Sequence, residues 1–226
     1  MMGSQIGQDI WVIESLKHKK NGFFLDVGCG HPIKLSNTFL LEKQYDWSGI
    51  GIDIDLSSCL TTWGTVRNNT KTYEHDALTI DYIKILEENN APEFIDYLSM
   101  DLEPAELTLE CLYKIPFDKY KFKTITFETD RFREEQDLNP HIFDPILHQA
   151  NRHGCPVSKE SRADISRKYL EDLGYILMVE AKMQDDFYIH VDYAKERFKD
   201  EGITAGVIFG GDNSGGGIIL KSEENK

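Results

Sequence analysis

The sequence is short of paired cysteines, of positive charge and of long apolar runs. Its four cysteines, Cys29, Cys59, Cys111 and Cys155, lie 30, 52 and 44 residues apart, with no C-x-x-C among them. Neither a zinc site nor a disulfide framework is expected from that spacing. Unpaired thiols, and the lack of a signal-like apolar core in the first 30 residues, predict a cytoplasmic protein. Lys and Arg number 25 against 39 Asp and Glu, a formal charge of −14. Such a chain lacks the clustered cations that neutralise nucleic-acid phosphates or an anionic membrane surface. No apolar run approaches the roughly 20 residues of a bilayer span, and no internal repeat is present. What is there is 226 residues, 40% of them hydrophobic, enough for one large domain with its own core.

Short β-rich runs alternate with helical spacing. Phe23 to Val27, Ile50 to Ile54, Lys71 to His75, Phe94 to Met100 and Phe122 to Glu128 read as strands, by apolar runs or period-two alternation. Between them, Ile80, Ile83 and Leu86, and then Leu107, Leu109, Leu112 and Tyr113, have helical spacing. So do Tyr169, Leu170 and Leu173, stopped by Gly174. Tyr175 to Val179 and Phe187 to Val191 add two strands joined by Gln184-Asp185-Asp186. This alternation predicts an α/β fold, a parallel sheet with helices on both faces and an antiparallel hairpin at one edge. Residues 130–158 lack periodicity and hold three of the seven prolines, the pattern of a substrate lid. The tail from Gly202 is glycine-rich and reads as a glycine-linked hairpin joining Val207-Ile208-Phe209 to Ile218-Ile219-Leu220.

The segment Asp26-Val27-Gly28-Cys29-Gly30-His31-Pro32 ends the first strand in a Gly-x-Gly turn, which lets backbone turn tightly and approach a ligand. The third glycine of a dinucleotide fingerprint is missing, since Ile33 stands there. The next helix starts later, near Ser36-Asn37-Thr38, and Asp26 would repel a pyrophosphate. Asp26 suits a cationic or hydroxyl-bearing ligand instead. Asp53 ends the second strand, where a carboxylate can accept both ribose hydroxyls of an adenosine. Asp55 reads as the N-cap of the following helix. Asp76 either meets an adenine amine or caps a helix from Leu78 to Glu88.

After the fourth strand, Asp101, Glu103 and Glu106 crowd a strand C-terminus, the edge where open α/β sheets bind ligands. Glu106 fits a first helical turn opened by Pro104. Asp101 and Glu103 are candidates for general acid–base chemistry or substrate positioning, because crowded acids raise each other's pKa. Metal ligation and plain solvated structure are the alternatives for the pair. His31 is a rival base, or else a turn residue bonded to backbone. His141, His148, His153 and Cys155 match no standard metal-ligand spacing. Arg131, Arg133 and Arg152 are solvated charges or contacts for an anionic acceptor.

These residues together resemble the FkbM-type S-adenosylmethionine-dependent methyltransferases. The match is carried by Ser4 to Asp9, Asn21 to Gly28, His31-Pro32, Ser36-Asn37-Thr38, Trp47 to Asp53, Asp96 to Glu106, Phe122 to Glu128 and Gly174-Tyr175. It spans residues 4 to 192. Pro104 departs from the family's pattern, which has glycine there. The resemblance implies a class I methyltransferase fold, a Rossmann-like doubly wound, mostly parallel seven-stranded sheet with an antiparallel edge strand. It implies one methyltransferase domain over 1–200, with an N-terminal helix and the 130–158 lid, followed by a 201–226 extension. It implies S-adenosylmethionine as cofactor. Asp26, Gly28, Cys29 and Gly30 would hold its methionine part, Asp53 with Ile54 its ribose side, and Asp76 with Ala77 its adenine. Gln5, Gln8, Ser36 and Asn37 would line the same pocket, with Asp101 shared between cofactor and catalysis. The implied reaction is O-methylation of a hydroxyl on a sugar or other small acceptor. A nicotinamide-dependent oxidoreductase and a non-catalytic adenosine-binding relative are the alternatives.

Overall fold

The computed structural model describes residues 3–131, 161–181 and 184–199, with the backbone of 203–207 and 220–222. Seven strands form one sheet: β1 (Phe23–Val27), β2 (Ser48–Asp53), β3 (Thr70–Glu74), β4 (Phe94–Met100), β5 (Lys121–Glu128), β6 (Tyr175–Ala181) and β7 (Asp185–His190). Their order is β3-β2-β1-β4-β5-β7-β6. The first five run parallel, and β7 is antiparallel to both β5 and β6. The antiparallel strand therefore lies one place in from the edge, which β6 occupies. Strand order reverses between β1 and β4, and in open α/β sheets the crevice at that reversal is the ligand site.

The central strands are apolar on both faces because helices cover both. Leu25, Ile50, Leu98 and Ile125 face one side, where they pack with Leu86 of α4 (Tyr82–Glu88), Leu112 of α5 (Ala105–Leu112) and Leu170 of α6 (Arg162–Asp172). Phe24 and Tyr97, one residue out of phase, face the other side. There they meet Val12 and Ile13 of α1 (Gln8–Ser15), Leu41 of α2 (Phe39–Tyr45) and Trp47. A smaller cluster joins Cys29 and Leu56 to Trp63 of α3 (Leu60–Val66). The last helix, α7, spans Val191–Arg197, and β8 (Ile203–Val207) pairs antiparallel with β9 (Leu220–Ser222).

Three local expectations are corrected. The helix expected from Leu78 begins at Tyr82, because Asp76 Oδ1 accepts from the Leu78 N–H in a local turn and Asp81 caps the helix instead. Asp55 caps no helix: its carboxylate accepts from Ser57, and α3 starts at Leu60. Asp185 and Asp186, expected in a turn, open β7. Their carboxylates tolerate the sheet because each has a donor, Gln8 for Asp185 and Arg167 for Asp186. Of the 130–158 insertion, only Asp130 and Arg131 are among the described residues. His141, His148, His153, Cys155, Arg133 and Arg152 lie outside them.

Candidate active site

The C-terminal ends of β1, β2 and β4 are tied into one turn. Gly28 and Cys29 donate to Ile52 O at 2.8 and 3.1 Å, and Asp101 N donates to Val27 O at 2.9 Å. Gly28 has φ +85, and a Cβ there would lie 1.8 Å from the Asp101 carbonyl oxygen. That glycine is therefore demanded by the residue that follows β4. Gly30 differs: a Cβ there meets nothing within 4 Å, so its face is open. Its N–H donates to Asp53 Oδ2 at 2.9 Å, and its carbonyl accepts from Trp63 Nε1 at 3.0 Å.

Below the turn, Asp26 is only 2% exposed. Burial pushes its carboxyl above the ordinary range, opposed by the Thr38 hydroxyl and the Arg67 charge. Thr38 Oγ1 donates to Asp26 Oδ2 at 2.8 Å. Asn37 Nδ2 donates to Ser99 Oγ at 3.0 Å, and its buried Oδ1 has no hydrogen-bond partner.

Beside this turn opens a cleft lined by Gln5, Ile6, Gln8, Asp101, Glu103, Glu128, Asp130, Gln184 and Asp185. Glu128 ends β5 and sits opposite Asp185, the first residue of β7. Antiparallel pairing thus brings two carboxylates face to face. Thr129 and Asp130 donate their backbone N–H groups to Gln184 O at 2.7 and 2.9 Å, which closes the rim. Gln8 Nε2 donates to Asp185 Oδ2 at 2.9 Å and so docks α1 on this wall. Burial, then the Asp26 charge, raises the Asp101 carboxyl to about 6. Burial, then Asp101, raises Asp185 to about 7. Glu128 is held well above neutrality, by burial and then by Asp101. The same burial and the neighbouring Asp101 charge favour the protonated form of Glu128.

The model of the methyltransferase FkbM domain matches residues 6–177. The chain belongs to the FkbM methyltransferase family. Among solved structures, a provisionally named caffeoyl-CoA O-methyltransferase from Staphylococcus aureus is 14% identical with a TM-score of 0.52, covering 83% of this chain and 84% of that one. A SAM-dependent methyltransferase from Aquifex aeolicus is also 14% identical, with a TM-score of 0.43 and coverage of 80% and 89%. The first of these shows a shared fold. No curated protein matches the sequence.

In this FkbM-family chain the expected residues fall at several places around the turn and the cleft. Gln5, Gln8, Asp101 and Glu103 meet in the cleft, while Asp26, Gly28, Gly30 and Asp53 form the adjoining turn. Ile54 is 74% exposed just beyond β2. Asp76 Oδ1 is engaged by the Leu78 N–H, and the Ala77 carbonyl accepts from Tyr82 Oη at 2.9 Å. Two side chains are engaged by other residues. Cys29 is packed among Leu56, Cys59 and Trp63, and the Ser36 hydroxyl is bonded to Arg67. His31 Nδ1 accepts from the Ile33 and Lys34 N–H groups, both at 3.1 Å, which is the turn contact that stood as the alternative to a base. Pro104 is the N-cap of α5, and the Glu103–Pro104 peptide is cis.

Glu128, Asp130 and Asp185 were not anticipated. The available signal was an acid ending β5 and two acids in the link to β7, which places both at one sheet edge only if β7 runs antiparallel to β5. Among the described residues, no group of three or more His, Cys, Asp or Glu is arranged to hold a metal. Among the same residues no helix is long and apolar enough to cross a membrane.

Proposed function

We propose that the chain methylates a hydroxyl of a sugar or other small acceptor, using S-adenosylmethionine. The observation that carries this reading is the cleft of carboxylates and amides beside the glycine turn. Carboxylates and amides accept from and donate to hydroxyls, and they suit a polyhydroxylated acceptor better than a flat apolar one.

The residues at the turn fit the cofactor. Asp26 is a buried carboxylate, and Asn37 Oδ1 is a buried acceptor without a partner. Both complement an ammonium. The open face at Gly30 leaves room for backbone approach. Asp53 accepts one backbone N–H on each oxygen, which leaves lone pairs for ribose hydroxyls. The exposed Ile54 offers an apolar platform for adenine, and Asp76 keeps its second oxygen for the adenine amine. S-adenosylmethionine supplies an electrophilic methyl group on a cationic sulfur. Asp101 joins the turn to the cleft, and its raised pKa suits a base that takes the hydroxyl proton as the oxygen gains the methyl. Glu103 lines the same cleft and orients the acceptor. The nicotinamide alternative is weakened further because α2 begins only at Phe39, so no helix N-terminus abuts the glycine turn.

Calorimetry with S-adenosylmethionine and S-adenosylhomocysteine, followed by mass-resolved methyl transfer to a panel of sugars and small alcohols, tests the reading. Binding of both, and an added methyl on a hydroxyl, are expected. Asp101→Asn is expected to bind S-adenosylhomocysteine and to lose roughly 100-fold or more in transfer rate, the range for a lost general base. The wild-type rate should rise with pH through about 6 as Asp101 loses its proton. No binding up to millimolar ligand sinks the cofactor assignment. Full activity in both Asp101→Asn and Glu103→Gln sinks the assignment of the base.

A further inference from the structure

Arg67 is the residue following α3, outside every set of residues assigned above, and its side chain is completely buried. Its guanidinium donates five hydrogen bonds. Nε bonds Glu42 Oε2 at 2.6 Å, NH1 bonds Pro32 O at 3.0 Å and Ser36 Oγ at 3.2 Å, and NH2 bonds Thr38 Oγ1 at 2.9 Å and Thr70 Oγ1 at 3.1 Å. The group also lies over the Trp63 ring, 4.8 Å from its centroid. Only an arginine has a planar fork able to meet these partners at once. Three of them, Pro32, Ser36 and Thr38, belong to the loop that leaves the glycine turn.

Thr38 links this fork to the turn. Its Oγ1 accepts from Arg67, so the hydroxyl proton is turned toward Asp26 Oδ2, to which it donates. We propose that Arg67 is a positioning residue of the cofactor site: through the Thr38 hydroxyl it orients the Asp26 carboxylate for the cation it receives. The proposal rests on the reading of Asp26 as a cofactor ligand. Around Asp26, the other groups do not replace this function. Ser99 of β4 supplies a hydrogen bond, Asp53 of β2 and Asp101 beyond β4 carry like charge, and Tyr97 and Cys29 are held neutral by burial. Among the described residues, Arg67 is the cation that acts on Asp26.

The test is S-adenosylhomocysteine affinity by calorimetry from pH 5 to 8, alongside circular dichroism, for wild type, Arg67→Gln, Thr38→Val and Thr38→Ser. Arg67→Gln and Thr38→Val should bind roughly tenfold more weakly at neutral pH, about one charge-assisted hydrogen bond. In both, the loss of affinity on acidification should begin at higher pH than in wild type. Thr38→Ser should restore wild-type behaviour. A merely structural role would lower stability and leave that acid limb in place. The Thr38 pair carries the test if Arg67→Gln does not fold. Wild-type affinity and an unmoved acid limb in folded Thr38→Val overturn the proposal. No binding by wild type overturns the cofactor reading as well, which tells the two failures apart.

Discussion

Gly28 and Gly30 sit two residues apart and are glycine for different reasons. At Gly28 an added methyl would strike the Asp101 carbonyl, which is backbone and cannot turn aside. At Gly30 there is space, and only the positive φ of +49 costs energy. Urea denaturation should therefore separate them. Gly30→Ala is expected to lose about 1 kcal/mol, and Gly28→Ala about 3 kcal/mol or more, together with cofactor binding. Glu128 supports a second prediction. Its carboxyl, like those of Asp101 and Asp185, is raised in the folded state, whereas in the unfolded chain each ionises near 4. The unfolded state thus binds fewer protons above pH 4, so folding stability falls as pH rises from about 4 toward 7 and beyond. Glu128→Gln should be more stable than wild type at pH 8, by about 1 kcal/mol or more, with the difference shrinking at pH 4. Equal stabilities at both pH values would contradict the cluster's electrostatics. The Gly-x-Gly turn was legible because its residue types are local signals. The different demands on its two glycines depend on β4, more than seventy residues away, and were not.

Among the elements, β7 has the most consequence for the site. It carries Asp185 to the cleft and Asp186 into the protein, where Asp186 is fully buried. Arg167 of α6 holds Asp186 through two bonds, at 2.6 and 2.8 Å, and Tyr188 adds a third. Arg167→Ala leaves that carboxylate uncompensated, and it should cost about 3 kcal/mol in thermal or urea unfolding. Loss of under 1 kcal/mol would mean that the pair does not anchor β7. Strands rich in apolar residues, such as Phe94 to Met100 despite its Asp96 and Ser99, were readable from the sequence because burial on both faces leaves few polar interruptions. The start of β7 was not, since two adjacent aspartates have low strand propensity. Only Gln8 and Arg167, brought in from distant helices, make them acceptable there. The same holds for Arg67, whose neighbours in sequence disclose nothing of its five partners.

At the scale of the whole molecule, the parallel sheet with its reversed order between β1 and β4 gathers Asp26, Asp53, Asp101 and Glu128 at one edge. Part of the −14 charge is concentrated there, which suits a cationic cofactor and opposes a pyrophosphate. S-adenosylhomocysteine at a hundredfold its Kd should stabilise the protein by about 2.7 kcal/mol, a rise in Tm of roughly 5–10 °C, whereas NADH should give none. The reverse pattern would favour the oxidoreductase. The sequence by itself determined the alternating βα architecture, the turn after the first strand and the acids ending the successive strands, because hydrophobic period and turn chemistry are properties of neighbouring residues. The tertiary structure alone decided which acids share a cleft, that His31 spends its lone pair on a turn, and that a buried arginine braces the Asp26 loop. Those outcomes follow from strand order, antiparallel register and desolvation, and each of these acts between residues far apart along the chain.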